Sequence, residues 1–290
     1  AIGSVQVGTN LYPSVRFQMK GSGSFRSIHF RPSLTLKFPS TNSFYGLRKL
    51  HLNNSVHDPG RLNEVLGSEL HLQTKVPTPR ATPVRVTLNK KDLGVYVLKE
   101  GFDKRFLARH FAAPNGNLYD PKWGQDIDTE LEADSGPATK PPINASPDSP
   151  ASAQVDRLQL VKATKAPITN RLSALQRRLD VDRFLTTTAL QILLDDWDGY
   201  ARHHNNFRLY QDPEQNRFVF MPHGMDLLMG TPRSTVYWPE FNGLVMRGLF
   251  GIPEIPDRLR ERILELQKGV FTETNLVQIL QKTEIGRAHV

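Results

Sequence analysis

Three clusters between Leu194 and Gly230 carry side chains suited to metal-assisted chemistry. They are Asp195-Asp196-Trp197-Asp198-Gly199-Tyr200, His203-His204-Asn205-Asn206-Phe207-Arg208-Leu209-Tyr210 and Met221-Pro222-His223-Gly224-Met225-Asp226. Mg²⁺ takes hard oxygen ligands, usually one or two side chains completed by phosphate oxygens and water, and an Asn with an Asp supplies that set. Asn206 and Asp226 are the candidate ligands. Asp198, shortly before them, can orient an attacking hydroxyl or accept its proton.

Plainer readings stand beside these. Asp195 and Asp198 suit a helix end and a turn, Asn205-Asn206 a turn, and Asp226 a solvated loop. A rival chemistry would gather His203, His204, His223 and Asp226 around a transition metal in a hydrolase. Neighbouring residues on an extended strand face opposite ways, however, which sets His203 against His204 as co-ligands.

The elements that must position these residues follow from periodicity. Val15 to Lys20 and Leu34 to Phe38 alternate with period two around Gly21-Ser22-Gly23-Ser24, as a glycine-rich hairpin would. Asp58 and Pro59 suit a helix start, and Leu62, Val65, Leu66 and Leu70 recur at helical spacing. Glu69 falls on that stripe and needs a cationic partner or an exposed edge, whereas Glu64 points the other way. Val84 to Leu88 and Gly94 to Leu98 form a second hairpin about Asn89-Lys90-Lys91-Asp92. Asp103 to Phe111 suits a short helix.

From 126 to 154 the chain is rich in Pro, Ser, Asp and Ala and reads as a surface insertion. Beyond it, helical stripes run through Ile168, Leu172, Leu175 and Leu179, through Val181, Phe184, Leu185, Ala189, Ile192 and Leu193, and through Leu259, Ile263, Leu266 and Val270. Between them, Asn206 to Tyr210 and Arg217 to Phe220 flank a turn-rich loop. That hairpin brings Asn206 and Asp226 close together.

With 290 residues, 38% of them apolar, the chain can bury a sizeable core in one domain or two lobes. Its formal net charge of +8 favours anionic partners, but the basic residues are scattered and describe a solvated surface. With no cysteine, disulfides and thiolate metal sites are excluded. No apolar run approaches the length of a membrane span. Ala1 to Asn10 lacks a basic start and an apolar centre, and the chain does not begin with Met, so a targeting segment is expected to lie outside it. Residues 284–290 look like translated sequencing adapter and are expected to belong to no fold.

In their joint order, Leu88 to Glu100, Asn117-Leu118-Tyr119, Trp197-Asp198-Gly199-Tyr200, Asn205 to Tyr210 and Pro222-His223-Gly224-Met225-Asp226 resemble the CotH kinase family of spore-coat and surface-associated proteins. The resemblance implies an α+β, atypical protein-kinase-like fold. Its strand-rich N-lobe would span 1–100 and its mainly helical C-lobe 101–283, which carries the catalytic hairpin. It also implies ATP with Mg²⁺ or Mn²⁺ as cofactors and a Ser/Thr-rich protein as acceptor, at a cell surface or coat, with no nucleic-acid partner. Asp198 then matches the catalytic Asp, and Asn206 and Asp226 the metal ligands, with Asn205 replacing Asn206 if the hairpin register slips by one. Gly21, Gly23 and Ser24 become the loop over the phosphates. Arg31 stands where relatives carry Lys, so Lys37, paired with Glu69, is the expected phosphate-gripping cation and Arg31 the reserve. Glu100, at the lobe connection, would lie where the backbone meets adenine.

Many members carry Trp-Asp-x-Asp where this chain has His223-Gly224-Met225-Asp226. That departure and Arg31 support an alternative, a kinase-like interaction module without phosphotransfer. An active enzyme is expected to modify Ser135, Ser146, Ser149 or Ser152 of its own insertion.

Overall fold

In a computed structural model the described residues are 1–121, 124–128, 150–230 and 240–288. Six antiparallel strands open the fold: β1 (Ile2–Val7), β2 (Asn10–Lys20), β3 (Ser33–Lys37), β4 (Lys49–Asn53), β5 (Ala81–Leu88) and β6 (Lys91–Glu100). They lie in the order β1-β2-β3-β4-β6-β5, and helix α1 (Asn63–Gln73) interrupts them between β4 and β5. Of these, β1 and β4 were not expected. The β2 and β3 strands are antiparallel, with Phe17 opposite Leu36 and Lys20 opposite Ser33, but residues 21–32 join them as a long loop instead of a tight turn. The β5–β6 hairpin turns through Asn89 and Lys90, both at positive φ.

Alternation divides the sheet into two unlike faces. Leu34, Leu36, Leu50 and Leu52 enter an apolar cluster with Tyr12, Val15, Phe38 and Tyr96. The intervening Ser33, Thr35, His51 and Asn53 face the other way, and cross-strand pairing sets Thr35 beside His51 and His51 beside Lys99. This polar face turns toward the rest of the molecule.

The second half contains α2 (Lys104–His110), α3 (Pro150–Thr164), α4 (Ile168–Gln176), α5 (Val181–Leu193), α6 (Tyr200–His203), α7 (Leu244–Phe250), α8 (Ile255–Lys268) and α9 (Glu273–Ala288). A small sheet, β7 (Leu118–Tyr119), β8 (Phe207–Asp212) and β9 (Arg217–Pro222), runs through it. Asp103 caps α2 by accepting hydrogen bonds from the backbone N–H of Arg105 and Phe106, and Asp180 caps α5 through Arg183 N–H. The largest apolar core joins α3, α4, α5, α7 and α8 to β8 and β9. Leu66 and Leu70 of α1 belong to this core, not to the sheet's. Removing a fully buried leucine such as Leu70 from water contributes about 1.5–3 kcal/mol, so α1 is fastened to the helical half.

One expectation changes here. Asp126 and Ile127 do not belong to a surface insertion: Ile127 is buried, and Asp126 accepts hydrogen bonds from Tyr200 Oη and from Leu244 N–H. Helix α3 then begins at Pro150, within the range given to the insertion. Ser135, Ser146 and Ser149 lie outside the described residues, and so does the side chain of Ser152. At the other end, α9 is Glu273–Ala288, and the side chains from 284 on lie outside the described residues.

Candidate functional site

The catalytic candidates are held by a short, tightly determined segment after α5. Asp195 has φ of +47°, which turns the chain, and Asp196 is buried beneath it, accepting a hydrogen bond from Gln191 Nε2. At Gly199 an added Cβ would lie 2.3 Å from Gln191 Nε2 and 2.6 Å from Asp196 Oδ2, so any larger residue would displace those side chains. After the single turn of α6, His204 and Asn206 both take positive φ, a conformation that Asn tolerates better than most residues. This reversal aims two amides back at Asp198. Asn205 Nδ2 donates to its Oδ1 at 3.0 Å and Asn206 Nδ2 to its Oδ2 at 2.8 Å.

The β8–β9 register completes the group. Phe207 pairs with Pro222, and His223 N–H donates to Asn206 O at 3.0 Å. Asn206 Nδ2 also donates to Gly224 O at 3.1 Å, which leaves its Oδ1 as an acceptor. Gly224 sits at φ +65°, and a Cβ there would come within 2.6 Å of Asn206 Oδ1. Asp226 follows. Burial, then the negative charge of Glu64, raises its pKa above the ordinary carboxylate value, and His57 Nδ1 stands 3.4 Å from its Oδ2.

Facing these residues across the cleft is the polar side of the large sheet. Glu64, in the first turn of α1, is its hub. Its Oε1 accepts from Lys99 Nζ at 2.5 Å and from Gly224 N–H at 3.1 Å, and its Oε2 accepts from Asn53 Nδ2 at 3.1 Å. One carboxylate therefore ties β6, β4 and the loop that carries Asp226. Burial pushes the Glu64 pKa up, but Lys99, by charge and hydrogen bond, and then Lys20 outweigh it, and the net shift is downward. Lys20 Nζ donates to Asn53 Oδ1 at 2.6 Å.

Asp198, Asn206, Asp226, Gly21, Gly23 and Ser24 all line one cleft of about 650 Å³ between the halves. Four other expectations are corrected. Lys37 has the expected face but the wrong end: it is exposed opposite Arg16, four residues along the strand from Lys20, or about 13 Å. Glu69 is half-exposed and, among the described residues, its carboxylate accepts from Gln73 Nε2 alone, because α1 turns its apolar stripe into the helical core and its first turn toward the cleft. The buried ion pair is Lys99–Glu64. Arg31 donates to Val95 O at 2.7 Å with its guanidinium over the Tyr96 ring, pinning the 21–32 loop to β6 away from the cleft. Glu100 spends its carboxylate on Arg109 and Arg80 and does not line the cleft.

Sequence reasoning missed Lys20, Asn53, Glu64, His57 and Lys99, all of which line the cleft or bind a residue that does. The alternation Leu50-His51-Leu52-Asn53 held a signal for β4, and β4 is what orients Asn53.

The histidines do not assemble a transition-metal site. His203 Nδ1 meets Trp197 O, His204 Nε2 bonds Gly124 O at 3.1 Å, and His223 Nε2 accepts from Arg208 Nη1 at 2.5 Å. Burial, then the cations Arg208, Lys99 and Lys20, holds His223 well below its ordinary pKa, consistent with a neutral ring. Among the described residues no three His, Cys, Asp or Glu side chains gather to hold a metal. The oxygens of Asn206 and Asp226, with Gly224 leaving room beside them, suit a hard cation whose shell a ligand's phosphates complete. Burial, then Lys20, Lys99, Lys49 and Arg208, also depresses His51, so the sheet side of the cleft is cationic and suits an anion.

Comparison with known proteins gives a consistent family. The CotH kinase protein family matches residues 17–285. The inner spore coat protein H of Bacillus subtilis is 25% identical over 215 residues, covering 71% of this chain and 58% of that protein. Invasin CotH3 of Rhizopus delemar is 24% identical over 250 residues, covering 82% of this chain and 41% of that one. The chain thus spans less than two thirds of either relative's length. A crystal structure of the Helicobacter pylori proinflammatory kinase CtkA aligns over 83% of this chain and 66% of its own, with a TM-score of 0.32 and 9% identity, a likeness too slight to argue from.

Proposed function

Because the chain belongs to the CotH kinase protein family, we propose that it transfers the γ-phosphoryl group of ATP to a Ser or Thr hydroxyl of a coat or surface protein. The observation that carries this reading is the convergence of Asp198, Asn206 and Asp226 on one cleft whose opposite wall is cationic and ends in the Gly21–Ser24 loop.

Asn206 and Asp226 would hold Mg²⁺ or Mn²⁺. When bound, the ion supplies charge neutralisation at the phosphates. The rest falls to the chain's own groups. Asp198, with both oxygens already accepting amide hydrogen bonds, is fixed in plane and presents its remaining lone pairs to the acceptor hydroxyl. As the hydroxyl oxygen bonds to the γ-phosphorus and the bond to the β-bridging oxygen breaks, the hydroxyl proton passes to the Asp198 carboxylate and ADP departs. The backbone N–H groups of the Gly21–Ser24 loop, which lines the cleft, would offer donors to phosphate oxygens. Lys99, held by Glu64, contributes a fixed positive charge to the opposite wall.

The interaction-module reading drew on the His223-Gly224-Met225-Asp226 departure, which stands, and on Arg31 replacing Lys. Arg31 lies against Val95 and Tyr96, so its identity has little bearing on the cleft, where Lys20 and Lys99 supply the positive charge. Incubation with labelled ATP, Mg²⁺ or Mn²⁺ and a Ser-rich acceptor tests the proposal. Wild type should incorporate label and Asp226→Ala should lose it by at least about 100-fold, in line with removing a charge-stabilising ligand. Equal labelling by both proteins rejects the assignment, and nucleotide binding without transfer favours the module.

A further inference from the structure

We infer that Lys20, at the end of β2 just before the glycine loop, is the cation that grips the nucleotide phosphates, while Lys99 remains locked on Glu64 as part of the wall. The inference rests on the kinase reading of the cleft and assigns within it a role that the ion pair would otherwise seem to claim.

The two lysines differ in what already holds them. Lys99 Nζ lies 2.5 Å from Glu64 Oε1, and both side chains are almost wholly buried, at 5% and 1% exposure. Glu64 in turn carries Gly224 N–H and Asn53 Nδ2. Lys99 is thus positioned by Glu64, and its charge is already balanced by that carboxylate before any anion arrives. Lys20 has no such tie. Its Nζ donates to a neutral amide oxygen, Asn53 Oδ1 at 2.6 Å, and among the described residues no carboxylate lies within ion-pair distance of it. Its neighbours in the cleft wall are Gly21, Ser22, Gly23 and Ser24, whose backbone would cover the same phosphates.

The charges facing Lys20 are Lys99 on β6, Glu64 on α1, Arg208 on β8 and Asp226 on the metal loop, with His51 on β4 beside them. Burial, then repulsion by Lys99, outweighs the pull of Glu64 and lowers Lys20 to about 7. A polyanion placed against it reverses that balance and restores the proton. The bound state therefore holds more protons than the free state. Binding is strongest below about pH 7, and affinity falls as pH climbs toward the lysine's value in the complex, by up to about tenfold per pH unit.

Isothermal titration of Mg²⁺-ATP into the full chain at pH 8, repeated in two buffers of different ionisation enthalpy, counts the protons taken up. Wild type should bind with net proton uptake. Lys20→Met should bind at least about tenfold more weakly with no uptake, since one charge-assisted contact is lost. Lys20→Arg, charged at every accessible pH, should recover affinity without uptake and lose the dependence on pH between 7.5 and 9.5. Melting curves confirm that each variant is folded. Undiminished binding by folded Lys20→Met overturns the inference, as does failure of folded Lys20→Arg to recover affinity. Failure of wild type to bind ATP at all rejects the kinase reading itself, which separates the two failures.

Discussion

Glu64 concentrates more of the site's order than any residue with a direct chemical role. Its two oxygens serve Lys99, Gly224 and Asn53 together, so truncating it leaves a buried ammonium unpaired and a backbone N–H unsatisfied at once. Glu64→Gln should lower the unfolding free energy by about 3 kcal/mol, as broken buried pairs do, and should depress phosphotransfer more than Lys37→Ala or Glu69→Gln, which should leave both near wild type. Urea unfolding and labelled-ATP turnover of the three variants check this, and equal effects would reject the hub. At this scale the sequence was legible where chemistry and local geometry coincide: Asp198, Asn206 and Asp226 sit on adjacent turns, and a hairpin register suffices to join them. Lys20, Glu64 and Lys99 come from three separate elements. Their meeting depends on strand order and on how α1 is rolled, neither of which residue types alone disclose.

The sheet explains why Lys37 misled. Its facing was readable from alternation with Leu34 and Leu36, but which end of β3 meets the cleft depends on the position of the 21–32 loop and on β4, whose five residues were not recognised as a strand. The β5–β6 and β8–β9 hairpins, α2, α4, α5 and α8 followed from turn chemistry and apolar spacing, because each is determined within its own segment. Close approach between elements was less visible. Gly116 lies against the start of the β8–β9 loop, where an added Cβ would fall 2.0 Å from Gln211 O and 2.7 Å from Pro213 Cδ. Gly116→Ala should therefore displace the hairpin carrying Asn206 and destabilise the protein by roughly 1–3 kcal/mol. A change of denaturation midpoint smaller than that of a surface Ala substitution would show that the contact relaxes freely.

At the scale of the molecule, acid and base act through a group that never touches the cleft. Burial, then the charge of Asp198, pushes the Asp196 carboxyl up to about 7. The folded protein holds that proton more firmly than the unfolded chain, whose Asp titrates near 3.9. The stabilisation is complete below about pH 4 and is lost as pH rises to about 7. Asp196→Asn should flatten this slope, and melting temperatures from pH 4 to 8 in both proteins check it; parallel curves would refute it. The two halves are not self-sufficient pieces. Helix α1 lies within the first hundred residues but buries Leu66 and Leu70 among later helices, and α9 reaches back to pack on α1 and β5, where Asn275 Nδ2 donates to Gln73 Oε1 at 2.8 Å. During synthesis that arrangement imposes an order of events. While α9 is still inside the ribosome, the first helix has no finished seat and the cleft's upper wall has nothing to fix its depth. The nascent chain therefore elongates with the cleft unassembled until the segment carrying α9 has emerged.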